Sequence, residues 1–316
     1  MVPSRQLVRV LILYNPVAGS GRASLLAREL MSRLDGVRLA TGGILEVHLE
    51  PTQADRASVW LDPVLQKGFD VLVVVGGDGA CRLAAPSAIR TGVSLYHYPS
   101  GTENLFARDH GMRPDPRVLL EALEHGTRRS VDAFRVQGEW GLICASIGFD
   151  AWVVRDLAAN RSGAITHRSY LGPILGQLCS WRGRRPTVRV VVDGDELFSG
   201  PIALALAANS SQYGMRLDPA PDALLDDGML DVVVLPARTL WGVLVWSVRC
   251  RLRNHLSSPR IRRARGACVV FELDEPAPLQ IDGDPPRSPE PIDHYRIEIH
   301  PGAVKVLVPP SENRSS

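Results

Sequence analysis

The chain has 316 residues, of which 45% are hydrophobic and 22% charged, and its net charge is +2. That composition supports one large or two ordinary folded domains and excludes global disorder. The small net charge makes no general case for a nucleic-acid partner. Only Lys67 and Lys305 are lysines, so nearly all the positive charge is arginine, a bias that a GC-rich genome accounts for.

Strand and helix patterns alternate along the first 130 residues. Val8–Tyr14 reads as a strand ending in the turn Asn15–Gly21, followed by a helical pattern over Ala23–Leu34. Leu45–Leu49 suggests a second strand and Ala54–Gln66 a helix. Val71–Val75 is a continuous apolar run, as in a buried parallel strand, and it ends in Gly76-Gly77-Asp78-Gly79. Helical Leu83–Arg90, the short run Ser94–Tyr98 and helical Leu105–His110 complete an α/β pattern with a parallel sheet covered on both faces.

From Val131 the texture becomes β-rich. Runs at Ala133–Val136, Gly141–Ile147, Val188–Val192, Ile202–Ala207, Leu230–Leu235, Cys268–Leu273, Arg296–Ile299 and Val304–Val308 are separated by turns such as Asp193-Gly194 and Asp282-Gly283. These predict an antiparallel, sandwich-like second domain with helices near Ser169–Cys179 and over Leu240–Asn254. The expected division is residues 1–130 for the α/β domain, 131–308 for the β-sandwich domain and 309–316 for a disordered tail.

Cys81, Cys144, Cys179, Cys250 and Cys268 form no C-x-x-C pair, which is expected of reduced thiols in a cytosolic protein. The N-terminal segment lacks the length and cleavage pattern of a signal peptide. No apolar run reaches the ~20 residues of a spanning helix, so membrane contact is expected to be peripheral.

Three loops carry the chemistry. Asn15-Pro16-Val17-Ala18-Gly19-Ser20-Gly21, Gly76-Gly77-Asp78-Gly79 and Pro99-Ser100-Gly101-Thr102-Glu103-Asn104 each follow an apolar run. In open parallel sheets ligands sit at the carboxyl ends of strands, where backbone N–H groups and helix N-termini favour phosphate. One such loop is commonly a plain turn; three in order at strand ends point to a phosphate-bearing ligand. Asp78, flanked by glycines, has the position of a carboxylate that takes a hydroxyl proton or holds Mg²⁺, the alternative being an Asx turn.

The ordered motifs NPVAGSGRA, VVVGGDG, PSGTENLFAR, SIGFDA, NSSQYG, PDALLDDGMLDVVVL and QIDGDP resemble the diacylglycerol kinase catalytic family over about Val8–Val308. The resemblance implies a lipid kinase using ATP and Mg²⁺, with an α/β nucleotide-binding half, a β-sandwich half and an active site in the cleft between them. By position, Asn15, Gly19 and Ser20 would belong to the first nucleotide loop. Gly76, Gly77, Asp78 and Gly79 would cradle the phosphates, and Gly101, Thr102 and Asn104 would complete the site. Asp227 and Asp132 would take the places of acidic residues at a structural metal and near the domain junction. Asp282-Gly283-Asp284 matches the family's D-G-E, which makes Asp284 the expected base, with Asp78 and Asp282 in the same catalytic group.

The chain departs from the family pattern at several positions. Ala80 replaces a threonine, Arg82 and Leu83 an asparagine–glutamate pair, Glu103 a glycine, Leu105 an aspartate and Asp284 a glutamate. These keep open a degenerate relative that binds nucleotide or lipid as a regulator. A soluble-substrate kinase such as NAD kinase shares GGDG and is a further alternative.

The lipid substrate is expected at a membrane surface, with the protein cytoplasmic and peripherally attached. Leu240–Leu256 mixes Trp241, Leu244, Val245 and Trp246 with Arg249, Arg251 and Arg253. It reads either as an interfacial helix drawn to anionic lipid or as a helix packing on the sandwich with solvated arginines. Arg182, Arg184 and Arg185 form a second basic cluster. No nucleic-acid recognition motif accompanies these patches, and the sequence carries no signal for the oligomeric state.

Overall fold

The computed structural model describes residues 7–160, 167–180, 186–288 and 290–310. The cluster Arg182, Arg184 and Arg185, and most of the expected tail, lie outside them. The chain forms two compact units, Met1–Val131 with Ala303–Ser316, and Asp132–Gly302.

In the first unit, β1 (Leu7–Tyr14), α1 (Arg22–Leu34), β2 (Ile44–Pro51), α2 (Ala57–Leu65), β3 (Val71–Gly76), α3 (Asp78–Thr91) and β4 (Ser94–Pro99) alternate. They are followed by the short α4 (Leu105–Asp109) and by α5 (Pro116–His125). The strands form a parallel sheet in the order β4-β3-β1-β2, with Val10–Tyr14 opposite Val71–Val75 and Val71–Gly76 opposite Ser94–Pro99. Every residue of β3 and β4 is buried. That is why β3 is a continuously apolar run, each large side chain contributing about 1.5–3 kcal/mol by leaving water. Because the sheet is parallel, β1, β3 and β4 end at the same edge.

The second unit begins within β5 (Thr127–Val136) and continues through β6 (Glu139–Gly141), β7 (Cys144–Gly148), α6 (Phe149–Ala159) and α7 (Leu171–Ser180). β8 (Thr187–Val192), β9 (Asp195–Ala208), β10 (Leu230–Pro236), α8 (Leu240–Arg251), β11 (Arg262–Gly266), β12 (Cys268–Ala277), β13 (Leu279–Ile281) and β14 (Ile292–Val308) follow. β9 belongs to two antiparallel layers. Its first half pairs with β8, which continues to β12 and β14, while its second half lies between β7 and β10. The switch falls at Gly200-Pro201, where Gly200 takes φ +145° and Pro201 supplies no N–H to a ladder. Between the layers lies one core that includes Val190, Ile202, Val232, Phe271 and Ile297.

The sequence placed two strands at Arg296–Ile299 and Val304–Val308; they are one strand. β14 runs through Pro301-Gly302, and its last residues, from Ala303, return to the first unit, where Val306 pairs with Leu95. The third helix begins at Asp78 rather than Leu83, so the GGDG segment is a strand end joined directly to a helix start.

Candidate active site

At the carboxyl edge of the first unit's sheet the three glycine loops are neighbours. After β1, the Asn15 Oδ1 accepts the Val17 N–H at 3.1 Å, an Asx turn that starts the loop. Gly19 and Ser20 lie in a 3₁₀ turn, Ala18–Gly21, and Gly21 at φ +90° leads into α1. After β3, Gly77 leads into α3. Neither α1 nor α3 has a side-chain cap, so the first-turn N–H groups of two long helices are presented at this edge, an arrangement suited to phosphate.

The second and third loops interlock. Ser100 N–H donates to the Gly76 carbonyl at 2.8 Å. A Cβ on Gly101 would sit 2.6 Å from the Gly77 Cα, so the two backbones touch where only glycine fits. Asn104, left-handed at φ 50°, ties its amide back to Gly101 through Gly101 N–H to Oδ1 at 2.9 Å and Nδ2 to the Gly101 carbonyl at 2.8 Å. Thr102 lies within this closed loop.

Asp78 fastens the pair. Its Oδ2 accepts the Leu105 N–H and its Oδ1 the Phe106 N–H, both at 3.0 Å, so the first residue of α3 caps α4. Both carboxylate oxygens therefore hold the second and third loops together, a positioning role that the Asx-turn alternative did not include. Behind the loop, buried His97 bonds the Gly76 carbonyl through Nε2 at 2.9 Å, which makes that nitrogen the protonated one. Burial lowers its pKa, opposed by the Asp78 charge and this hydrogen bond, so the ring is neutral at physiological pH.

Three of the departures, at Ala80, Glu103 and Leu105, are accommodated locally. The Ala80 methyl fills the space beside Gly76. Leu105 is buried at the start of α4. Glu103, in a place where the family has glycine, pairs with Arg108 at 3.3 Å, so its charge is balanced within the loop.

In the second unit, the Asp282-Gly283-Asp284 turn is held from below. Asp282 is buried in the left-handed region at φ 53°. Its Oδ1 accepts the Ile143 and Cys144 N–H groups at 2.8 and 3.0 Å, and its Oδ2 the Leu142 N–H at 2.8 Å. A carboxylate so engaged is a clamp between β13 and the start of β7. Asp284 is half-buried, with its backbone paired to Ile281.

The two residues expected at metal positions have protein partners in this structure. Asp132 is buried, with Oδ1 accepting the Gly302 N–H and Oδ2 the Gly228 N–H, both at 2.7 Å. Asp227 accepts the Met229 N–H at 3.0 Å and an ion pair from Arg265, whose guanidinium also lies 3.4 Å from Asp231. A guanidinium supplies the cation between Asp227 and Asp231 in this structure. Among the described residues no group of three His, Cys, Asp or Glu side chains converges as a metal site would.

One polar network has no counterpart in the sequence reading. Asp150, at the start of α6, accepts the Tyr213 hydroxyl at 2.6 Å and the Ser146 hydroxyl through Oδ2. Gln280 donates to the Ser146 Oγ at 2.6 Å, and its Oε1 accepts the Gly283 N–H at 2.7 Å. Asp150 is thereby linked to the turn that carries Asp284. Burial raises the Asp150 carboxyl above the usual carboxylate range, opposed by the two hydroxyl hydrogen bonds, and its buried Oδ1 has no partner. Such a group can hold or pass a proton. The signal available was the carboxylate in SIGFDA and the tyrosine in NSSQYG, whose proximity depends on the fold.

A parallel α/β unit with interlocked glycine loops at its strand ends, joined in one chain to an antiparallel β-sandwich unit carrying a D-G-D turn, defines a nucleotide-using phosphotransferase class. Residues 9–136 match the model of the diacylglycerol kinase catalytic domain, and residues 144–308 that of the YegS C-terminal NAD kinase beta sandwich-like domain. The chain belongs to the diacylglycerol kinase family of lipid kinases. It is 28% identical over 282 residues to a Stenotrophomonas maltophilia protein named "Probable lipid kinase YegS-like", covering 84% of this chain and 87% of that one. It is 29% identical over 232 residues to a Mycobacterium tuberculosis protein named diacylglycerol kinase, covering 72% of each. The fold is shared with a diacylglycerol kinase structure from Bacillus anthracis at TM-score 0.65 and 16% identity, covering 96% and 97% of the two chains. It is shared more distantly with yeast NADH kinase at TM-score 0.53 and 10% identity, covering 98% and 85%.

Proposed function

We propose that this chain transfers the γ-phosphate of ATP to a hydroxyl group of a membrane lipid such as diacylglycerol, working in the cytoplasm at a membrane surface. The observation that carries the reading is the loop pair locked by Gly77, Gly101 and Asp78, with the bare starts of α1 and α3 beside it. It is a rigid, donor-rich surface, and phosphoryl transfer asks of a protein mainly positioning and charge neutralisation. Mg²⁺ accompanying ATP would supply part of that neutralisation. In the reaction the lipid O–H loses its proton to a carboxylate, its oxygen bonds the γ-phosphorus, and the bond to the β-phosphate oxygen breaks to release ADP. Asp284 is the base in this reading, because Asp282 is occupied below it and the turn is held rigidly by the clamp.

A second reading puts the proton on Asp150, favoured by its raised pKa and unpartnered Oδ1. Comparing Asp284→Asn with Asp150→Asn for label transfer from γ-labelled ATP to diacylglycerol in mixed micelles separates them. The variant lacking the base loses kcat by at least ~100-fold. Wild-type protein that binds ATP and labels no lipid overturns the proposed reaction. The Glu103–Arg108 pair argues against a degenerate, regulator-only protein, since the extra carboxylate in the phosphate loop is neutralised where it stands.

A further inference from the structure

α8 is apolar on two opposite faces. Val243, Trp246 and Cys250 are buried, with Trp246 Nε1 donating to the Pro236 carbonyl at 2.7 Å, which fixes the helix to the second unit. Trp246 is therefore a core residue and not an interfacial one. The other face carries Trp241, Leu244, Val245, Val248 and Leu252, and it is open: Trp241 is 72% exposed, Val248 58% and Leu252 66%. At 100° per residue these five fall within about 100° of arc. Arg249 and Arg251 stand about 80° to either side of the stripe's centre. Arg249 is steadied by the Trp246 ring, 5.8 Å from the guanidinium carbon, and by a hydrogen bond to the Asn254 carbonyl. Arg251 is exposed, and no ion pair engages it among the described residues.

The segment around α8 is basic in sequence, and in the fold Arg253, Arg263 and Arg265 are paired with Asp218, Asp222, Asp227 and Asp231 from outside it. Between Asp231 and Glu272 the chain carries eight arginines, from Arg238 to Arg265, and neither aspartate nor glutamate, in a protein whose net charge is only +2. Solubility alone does not call for a tryptophan and four aliphatic side chains in water beside that segment. An apolar stripe flanked on both sides by arginine is what a helix lying in a bilayer interface presents. The stripe enters the acyl boundary while the guanidinium groups stay at the headgroups.

We propose that the outer face of α8 is a docking surface for an anionic lipid bilayer, with Trp241, Leu244, Val245, Val248 and Leu252 inserting and Arg249 and Arg251 contacting lipid phosphates. It rests on the lipid-kinase reading above, since an enzyme whose substrate stays in a bilayer must work at its surface.

The test is sedimentation of the full chain with phosphatidylcholine vesicles, with and without phosphatidylglycerol. Wild-type protein partitions onto the phosphatidylglycerol vesicles. The Trp241→Ser, Val248→Ser, Leu252→Ser triple variant loses about 100-fold in partition coefficient without a fall in melting temperature. Arg251→Gln loses about 5-fold at low salt and little at high salt. Label transfer to a water-soluble short-chain diacylglycerol is unchanged in both. Vesicle binding lost in the triple variant while wild type labels no lipid upholds the docking surface and sinks only the substrate reading. Equal binding by wild type and triple variant, or no wild-type binding to any vesicle, overturns the proposal. So does a wild-type dimer that the triple variant dissociates, because the stripe would then be covered by a second copy of the chain.

Discussion

Replacing Asp282 by asparagine separates a clamp from a catalyst. The Asp282 carboxylate takes three backbone N–H groups from Leu142, Ile143 and Cys144 at 2.8–3.0 Å in a buried setting. An asparagine oxygen at the Oδ1 position keeps two of them as neutral hydrogen bonds. Its NH₂ at the Oδ2 position faces the Leu142 N–H, so one charge-assisted bond is lost and a buried donor is left without an acceptor. Hydrogen bonds to a charged group contribute about 1.5–3 kcal/mol each and neutral ones nearer 1, which puts the loss from these bonds at about 2.5–7 kcal/mol, with about 3–4 kcal/mol, in its lower half, the conservative expectation. For a unit of this size 1 kcal/mol shifts the melting temperature by roughly 2–4 °C, so Asp282→Asn melts about 6–15 °C lower. The assay is calorimetric melting alongside label transfer measured well below the transition. The expected result is a large fall in melting temperature with kcat per folded molecule within a few-fold of wild type. An unchanged melting temperature with kcat down by ~100-fold would refute the clamp and place Asp282 in the catalytic group.

Gly101→Ala forces the third loop away from Gly77, because the new Cβ would stand 2.6 Å from the Gly77 Cα. The KM for ATP rises by ~10-fold or more and the melting temperature falls by a few degrees, overpacking costing about 1–3 kcal/mol, as steady-state kinetics and a thermal scan will show. With Arg265 as the cation beside Asp227, chelating divalent ions leaves the melting temperature of the wild type unmoved. Arg265→Ala lowers it by about 2–4 °C, a half-exposed pair contributing roughly 1 kcal/mol. Stabilisation of the wild type by added Ca²⁺ or Mg²⁺ without nucleotide would count against that assignment. Asp150 has its folded pKa raised above the unfolded value of 3.8, so its contribution to stability is complete below that pH and is lost as pH rises through the folded pKa. Asp150→Asn therefore melts a few degrees above wild type at pH 7, the difference vanishing towards pH 4, while turnover falls. Equal pH–stability profiles for the two proteins would remove the case for a perturbed carboxyl.

Much of the fold is legible in the residues. The apolar runs of β1 and β3 announce buried parallel strands, and Asp193-Gly194 marks the turn between β8 and β9, where both residues take positive φ. Signals for α5 are present as well: Asp115 caps it, Pro116 opens it and Gly126 follows it, which is the pattern of a helix start and stop. The nucleotide loops could be found because glycine and asparagine there answer local backbone demands. What the sequence leaves out depends on contacts far along the chain. Asp282 is a clamp because Leu142, Ile143 and Cys144 lie against it. Asp227 is paired with Arg265, which lies 38 residues further along the chain. Both aspartates match family positions, and only tertiary structure shows what occupies their oxygens. Leu240–Asn254 read as either a packed helix or an interfacial one because α8 has an apolar face for each.

The most direct test of the central claim is transfer of γ-labelled phosphate from ATP in the presence of Mg²⁺ to a panel of diacylglycerol, monoacylglycerol, phosphatidylglycerol, sphingosine, ceramide and NAD, with Asp78→Asn beside the wild type. Asp78→Asn loosens the tie to Leu105 and Phe106 and with it the join between the second and third loops. The account predicts at least one labelled lipid, no labelled NAD, and loss of the label in the variant. Labelled NAD without any labelled lipid, or ATP binding with no acceptor labelled, would contradict it.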